Sequence, residues 1–239
     1  MKTASVQTLS FKTDNTARIF FFLLFVFIQI YLLKAQSAEQ VKSEITQSQP
    51  AKLTQGKAIK LVILGDSLTE GYGVAQESSF PFLIQNKFNE SKQNIKIMSS
   101  GSSGSTSASA LQRLKWIAKD KPDYVLLLLG SNDGLRGLSV EQTEKNLSEA
   151  VAWAKSQNIK VAVGQLHVPP NYSAEYEKKF SALYANVSRK QKVELAPFIL
   201  ENVAGQKELN LADGIHPNEK GHKIVADNLY RFLKKWIKQ

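Results

Sequence analysis

A short aliphatic run that ends abruptly in a turn sequence is the feature that most constrains this chain. Residues 61–64, Leu-Val-Ile-Leu, are followed directly by Gly65-Asp66-Ser67. A continuous aliphatic run stopped by glycine predicts a strand buried on both faces, as in a parallel sheet. Because ligands bind beyond the carboxyl ends of such strands, Ser67 would lie at the edge where a site forms. Gly-Asp-Ser is also a common turn composition, so this stretch alone leaves a plain turn and a nucleophile loop both open.

Strand and helix patterns alternate along the rest of the chain. Apolar runs predict four further strands, the last at an edge of the sheet: 95–98, 124–129, 159–163 and 193–195. Apolar residues at helical spacing predict helices that begin near Ser79, Leu111 and Ser139, and helices over 174–190 and 218–237. Alternation of this kind predicts an α/β domain with a parallel sheet, helices on both faces and right-handed crossovers.

The predicted helices carry specific expectations about caps and buried faces. Ser139 followed by Gln142 has the pattern of a capping box. The inner side of the helix near Ser79 is expected to include Phe82, Leu83 and Phe88. The helix that includes Leu111 also contains the apolar residues Leu114, Trp116 and Ile117.

The N-terminal part differs in composition from the rest. A polar, basic leader at 1–18 precedes an apolar run at 19–33. This pattern is typical of a secretory signal peptide, and the run is shorter than the about 20 residues that a spanning helix needs. Whether this segment is cleaved as a signal peptide or retained as a membrane anchor, the folded part would be exported to the periplasm. The sequence therefore predicts a signal peptide or N-terminal membrane anchor, a Gln-, Ser- and Lys-rich flexible linker and one folded domain: 1–38, 39–58 and 59–239.

Composition excludes several kinds of chemistry. The chain contains no cysteine, which rules out disulfides, a thiol nucleophile and thiolate zinc sites. It also lacks the G-x-G-x-x-G, Walker, H-E-x-x-H and G-x-S-x-G motifs, and we expect no cofactor and no metal. The formal net charge is +10, but the lysines are dispersed and form no stripe with interleaved aromatics. We expect no nucleic-acid partner, and at most weak association with anionic membrane surfaces.

A serine nucleophile needs a base, and the chain has three histidines. His222 falls inside the last predicted helix, where a packing role is expected. His167 lies in a proline-containing loop and is expected in a substrate groove. His216 is followed by Pro217, which keeps it out of the helix, and Asp213 is near enough in sequence to orient its ring. An Asp-Gly turn before a helix start is the alternative for this segment.

Acyl transfer also needs donors for a developing oxyanion. Gly104 and Asn132 lie in polar loops that follow the second and third predicted strands. A backbone N–H at a glycine can take unusual directions, and Asn132 has a side-chain amide. With the Ser67 N–H, these groups form a candidate oxyanion hole.

Four ordered sequence blocks resemble those of the SGNH/GDSL hydrolases. They are GDSL at 65–68, Gly104 within SSGSTS, GSND at 130–133 and DGIHP at 213–217. The resemblance covers about 59–237. It implies a flavodoxin-like three-layer α/β/α sandwich with a five-stranded parallel sheet. It further implies Ser67 as nucleophile, His216 as base and Asp213 as orienting acid, with an oxyanion hole of the Ser67 N–H, the Gly104 N–H and the Asn132 side chain.

Within that family, GDSLTEGYGV, GSNDGLRGL and VPPNYSAEY are most similar to the multifunctional thioesterase I, lysophospholipase and arylesterase branch. The resemblance implies that the loop with Leu135 and Arg136 closes on acyl chains, a surface salt bridge being the alternative for Arg136. The sequence departs from the branch pattern at four positions, which bear on substrate preference: Glu70, Ser105, Ser131 and His167.

These observations favour an exported, monomeric serine esterase acting on small acyl esters, thioesters or lipids through an acyl-serine intermediate. Two alternatives remain open at this point. One is a glycan O-acetyl esterase on the same fold, and the other is a non-catalytic basic protein that binds anionic polymers or membranes.

Overall fold

The computed structural model describes residues 57–168 and 172–237. The predicted leader at 1–38 lies outside the described residues, as does the predicted linker except for its last two positions. Among the helices within the described ranges, none is both long and apolar enough to cross a membrane.

Five parallel strands form one sheet in the order β2-β1-β3-β4-β5. The strands are β1 Ile59–Gly65, β2 Ile95–Ser100, β3 Tyr124–Leu128, β4 Lys160–Gly164 and β5 Glu194–Ala196. The predicted five-stranded parallel sheet is confirmed, with β5 at one edge. The aliphatic residues of β1 at 61–64 are at most 1% exposed, because β1 lies between two strands and under helices.

Helices cover both faces of the sheet. They are α1 Ser67–Glu70, α2 Phe80–Glu90, α3 Ala110–Ile117, α4 Ser131–Leu135, α5 Val140–Ser156, α6 Ala174–Gln191 and α7 Glu219–Trp236. Helices α2 and α7 pack against each other, and α5 packs against both α3 and α6. The predicted three-layer α/β/α arrangement is therefore present.

The register of the central strands determines where the polar loops meet. Leu64 of β1 pairs with Ser100 of β2, and Gly65 pairs with Leu128 of β3. These three strands thus end at the same level, so the loops that follow them start side by side.

The predicted inner side of α2 was wrong at Phe82, which is 37% exposed, whereas Phe88 is fully buried. In α3, Trp116 is 66% exposed. The buried positions of α3 are Ala110, Leu114 and Ile117, spaced four and three residues apart, and Trp116 turns away from that stripe. The predicted cap of α5 is half confirmed: the Ser139 hydroxyl accepts the Gln142 N–H at 3.1 Å, but the Gln142 side chain donates to Asn146.

His222 has the packing role expected from its place in α7. Its side chain is 1% exposed and stacks on Phe80 with ring centroids 5.9 Å apart. The Phe80 N–H donates to His222 Nδ1 at 3.2 Å, which links the two packed helices α2 and α7. Burial, aided by the charge of His216, lowers the pKa of His222 from 6.5 to about 4.

Stability should therefore depend on pH through His222. Below pH 6.5 the unfolded chain protonates this ring, whereas the folded chain keeps it neutral until about pH 4. The free energy of unfolding should thus rise with pH across this window, by up to about 3 kcal/mol. His222→Asn retains an acceptor for the Phe80 N–H but does not titrate, so it should flatten the dependence. Urea unfolding of both proteins at several pH values measures this, and equal slopes would exclude His222 as the source.

Candidate active site

Ser67 is the first residue of α1 and lies directly beyond the end of β1. Asp66 caps this helix, with its Oδ1 accepting the Leu68 N–H at 3.0 Å. The Asp66 side chain is almost fully buried, and this burial raises the pKa of its carboxyl. The cap holds the start of the helix in position, so the Ser67 side chain is held half-buried at the sheet edge.

His216 lies within hydrogen-bond distance of both predicted partners. Its Nε2 is 2.8 Å from Ser67 Oγ, and its Nδ1 is 2.7 Å from Asp213 Oδ2. The structure thus brings Ser67, His216 and Asp213 together in a continuous hydrogen-bonded chain. The ring of Tyr72 lies against the His216 ring, with centroids 4.7 Å apart, and covers part of it.

The segment that carries the acid–base pair is held by its own hydrogen bonds. Asp213 Oδ1 accepts the N–H groups of Ile215 at 3.0 Å and His216 at 3.1 Å. The Leu211 N–H donates to the His216 carbonyl at 2.8 Å. Partial burial raises the pKa of Asp213, but the hydrogen bonds from His216 and Ile215 outweigh it and leave this pKa below its ordinary value. Asp213 is therefore kept as a carboxylate facing the His216 ring.

Gly104 and Asn132 lie on the same cavity as Ser67. Gly104 has a φ of +75°, a conformation that side chains rarely adopt, and its N–H faces no protein acceptor within the described residues. The Ser67 N–H likewise faces no protein acceptor within the described residues. Asn132 Nδ2 donates to the Ser105 carbonyl at 3.0 Å, which leaves its second amide hydrogen available. The three predicted donors thus border one space.

The serine-rich loop after β2 is built against the Ser67 loop. The Ser99 hydroxyl donates to the Thr69 carbonyl at 3.1 Å, and the Ser102 N–H donates to the Gly65 carbonyl at 3.3 Å. A Cβ at Gly101 would lie 2.1 Å from the Glu70 nitrogen, so only glycine permits this approach. One serine hydroxyl, one backbone N–H and the close approach at Gly101 therefore attach this segment to the turn that carries Ser67.

Asp133 joins the Asn132 segment to the same loop. Its carboxylate, 2% exposed, accepts the Ser107 N–H at 2.8 Å, the Ser107 hydroxyl at 2.5 Å and the Thr143 hydroxyl at 3.2 Å. Asp133 was not predicted as a site residue, although its place next to Asn132 in GSND was a signal.

Asp133→Ala should lower the free energy of unfolding by about 3 kcal/mol, because buried donors lose their charged acceptor. Urea unfolding measures the change. Asp227→Ala is the matched control, since Asp227 makes an exposed ion pair with Lys87, a type of contact worth at most about 1 kcal/mol. Equal losses in both variants would contradict a structural role for the Asp133 network.

A largely apolar cavity of about 570 Å³ opens beside Ser67. Its apolar wall comes mainly from loops after β4 and β5 and from α1: Leu68, Leu166, Val168, Phe198, Leu200 and Ile215. Most of this wall was not predicted, because Phe198 and Leu200 lie directly after β5 in a stretch that carries no motif. In the part of the chain that the structure describes, no group of three or more His, Asp or Glu side chains could share a metal ion.

The three residues predicted to contact substrate differ in position. Leu135 and His167 line the cavity, and the His167 ring stacks on Phe198 with centroids 4.1 Å apart. Partial burial lowers the pKa of His167. Arg136 does not line the cavity. Its guanidinium donates to the Gly104 carbonyl at 3.1 Å instead.

The loop that follows α4 is tied to the start of α6. The Tyr172 hydroxyl donates to the Leu135 carbonyl at 2.8 Å, and the Tyr176 hydroxyl donates to the Leu138 carbonyl at 2.9 Å. Leu135 and Leu138 are 37% and 42% exposed. These side chains form an apolar rim that reaches the mouth of the cavity at Leu135.

Residues 63–224 match the GDSL-like Lipase/Acylhydrolase family. The chain is 36% identical to an arylesterase of Vibrio mimicus over 179 residues, which are 74% of this chain and 90% of the relative. It is 37% identical to "Thioesterase 1/protease 1/lysophospholipase L1" of Escherichia coli over 175 residues, 73% of this chain and 83% of the relative. The crystal structure of the esterase EstA from Pseudoalteromonas sp. superposes with a TM-score of 0.73 at 34% identity and covers 75% of this chain and 99% of EstA.

The matched segment contains all four of the sequence blocks and the residues brought together at the end of the sheet. The resemblance to the SGNH/GDSL hydrolases is thereby confirmed. This chain belongs to the GDSL-like lipase/acylhydrolase family.

Proposed function

We propose that this hydrolase is a serine esterase that cleaves carboxylic esters or thioesters through an acyl-Ser67 intermediate. The observation that carries the proposal is the hydrogen-bonded chain from Ser67 Oγ to His216 at 2.8 Å and from His216 to Asp213 at 2.7 Å. This chain lies at a cavity whose wall is mostly apolar. Such an arrangement suits acyl transfer, in which a weak hydroxyl nucleophile needs an adjacent oriented base.

In the first step, Ser67 Oγ attacks the substrate carbonyl carbon as His216 Nε2 takes the hydroxyl proton. Asp213 holds the ring with Nδ1–H pointing at its carboxylate and stabilises the imidazolium that forms. The protonated His216 then gives its proton to the departing alkoxide or thiolate, and the acyl group stays on Ser67.

In the second step, water attacks the acyl-serine carbonyl while His216 takes a proton from that water. Collapse of the tetrahedral intermediate releases the carboxylic acid and returns the proton to Ser67. In both steps the carbonyl oxygen becomes negative, and the Ser67 N–H, Gly104 N–H and Asn132 amide are the proposed donors to it. Their shared position on the cavity supports this role.

The cavity wall supports substrates with an apolar acyl or aryl part. Leu68, Leu135 and Phe198 are among its apolar lining residues, and the neutral form of His167 is favoured by its lowered pKa. The names of the relatives, arylesterase and thioesterase 1/lysophospholipase L1, agree with this class. We therefore propose aryl esters, short to medium acyl esters and lysophospholipids as substrates, without a nucleic-acid partner.

Hydrolysis of p-nitrophenyl esters from acetate to palmitate tests the proposal. We expect hydrolysis of these esters because the cavity beside Ser67 is mostly apolar, and the chain-length profile will show which acyl groups it accepts. A p-nitrophenyl alkylphosphonate should inactivate the enzyme and add one phosphonyl group to Ser67, as read by peptide mass spectrometry. The relative EstA is described as inhibited by monoethylphosphonate. A folded protein without ester hydrolysis or labelling would overturn the proposal, and activity on acetate alone would favour the glycan O-acetyl esterase.

We also propose that the enzyme is exported to the periplasm as a monomer, with at most weak attachment to anionic membranes. The basic leader before the apolar run at 19–33 supports this. Expression of the full chain, osmotic-shock fractionation and N-terminal sequencing would show a soluble product that begins after the leader. Recovery in the membrane fraction with an intact N-terminus would indicate that 19–33 is an anchor.

A further inference from the structure

The loop that carries Gly104 is bound on one side by an acidic residue of α1. Glu70 Oε2 accepts the Ser103 N–H at 2.7 Å and the Ser103 hydroxyl at 2.5 Å. Glu70 is also where the sequence departs from the pattern of its branch. It lies three residues after Ser67 in the same short helix. A single carboxylate oxygen thus connects the helix of the proposed nucleophile to the residue that precedes Gly104.

The same loop is bound on its other side by a basic residue. Arg136 Nη2 donates to the Gly104 carbonyl at 3.1 Å, from the segment that follows α4 and Asn132. Apart from the adjoining residues, the nearest described atom to a Cβ placed on Gly104 would be Arg136 Nη2, at 3.7 Å. Arg136 is therefore the nearest group on that side of the loop.

These two contacts bracket the peptide group that carries the Gly104 N–H. That N–H belongs to the peptide between Ser103 and Gly104. Glu70 holds the peptide before it, through the Ser103 N–H, and Arg136 holds the peptide after it, through the Gly104 carbonyl. With both neighbouring peptides held, the backbone torsions of Ser103 and Gly104 have little freedom, and the direction of the N–H between them is set.

We propose that Glu70 and Arg136 are positioning residues that together aim the Gly104 N–H at the oxyanion. The inference rests on the proposed serine esterase function and adds two residues that do not themselves touch the reacting atoms. It also gives Arg136 a role other than contact with the acyl chain. Preorganised donors matter because they need no reorientation as charge develops in the transition state.

Kinetics on p-nitrophenyl butyrate test this inference. Complete removal of an oxyanion donor costs about 10²–10³ in kcat, and loosening one should cost less. We expect Glu70→Ala to lower kcat about tenfold with KM changed by less than about twofold, because ground-state binding does not use the hole. Arg136→Ala should behave alike, and the double variant should approach the loss of a full donor, about 10².

Conservative variants separate positioning from a general structural role. Glu70→Gln keeps an amide oxygen that can accept both bonds from Ser103, so it should restore kcat to within about threefold of wild type. Arg136→Lys keeps a donor and should rescue in part. The rate of phosphonylation of Ser67 should fall in step with kcat, since that adduct also directs a polar oxygen at the donors.

Exposed residues away from the loop are the matched controls. Glu77→Ala, in the short turn Gln76–Ser78, and Arg189→Ala, near the end of α6, should leave kcat unchanged. Should Glu70→Ala match Glu77→Ala in kcat, or should Glu70→Gln fail to rescue it, the inference is wrong although the esterase function stands. An inactive, unlabelled wild-type protein would instead remove the proposed function itself.

Discussion

Ser67→Ala should reduce kcat for p-nitrophenyl butyrate by about 10⁴-fold or more while leaving the fold intact. The hydroxyl 2.8 Å from His216 Nε2 is the only protein group in the proposed mechanism that forms a bond to the acyl carbon. Its removal leaves water as the nucleophile, assisted only by the oxyanion donors and substrate binding. Because Ser67 is only half-buried and its N–H is retained, the free energy of unfolding should change by less than about 1 kcal/mol.

The measurement is steady-state hydrolysis together with phosphonate labelling of both proteins. Ser156→Ala, at the last position of α5, is the matched control, since its hydroxyl bonds only within its own helix end. It should retain full activity and labelling. Near wild-type turnover by Ser67→Ala would contradict the acyl-serine mechanism, and labelling of another serine would point to a different nucleophile.

Asn132→Ala should lower kcat by about 10²–10³ with little change in KM. Its amide is the one proposed oxyanion donor that belongs to a side chain, so it is the one that substitution can delete directly. The change also removes the bond to the Ser105 carbonyl at 3.0 Å, which loosens the Gly104 loop in the same direction. Asn132→Asp should be at least as damaging, because a carboxylate supplies no donor and repels the developing negative charge.

Initial rates over a range of substrate concentrations give kcat and KM, and urea unfolding shows whether the variant is folded. Asn89→Ala, in α2, is the control: among the residues that the structure describes, its side chain pairs with Gln85 alone, and its loss should not affect turnover. A loss smaller than about fivefold in Asn132→Ala, with a folded protein, would mean that Asn132 is not a donor in the transition state.

Features determined by local sequence were predictable. The run at 61–64 predicted a buried strand. Because strand ends in a parallel sheet share an edge, loops distant in sequence could be expected to meet. Asp213 and His216 are three residues apart, which is enough to anticipate their contact. The fold and the central cluster of polar residues follow from such patterns.

Contacts between side chains and loops that are far apart in sequence were not predictable. Nothing near Glu70 in sequence indicates that it will bind Ser103, 33 residues away. Arg136 was expected at the acyl chain, but the position of the Gly104 carbonyl relative to it depends on how two loops pack. Phe198 and Leu200 enter the cavity from the stretch after β5, which has no regular spacing. Phe82 was placed on the inner side of α2, whereas the packing of that helix buries Phe80, Ile84 and Phe88.

The Asp213–His216 pair is built within one short segment that holds its own shape, through the Asp213 bonds to Ile215 and His216 and the link between Leu211 and His216. Much of the cavity wall comes from elsewhere, including Phe198 and Leu200. Mutations that reshape the wall can therefore accumulate without disturbing the acid–base pair. For directed evolution, libraries limited to Phe198 and Leu200 should yield new acyl preferences at a high frequency of active clones.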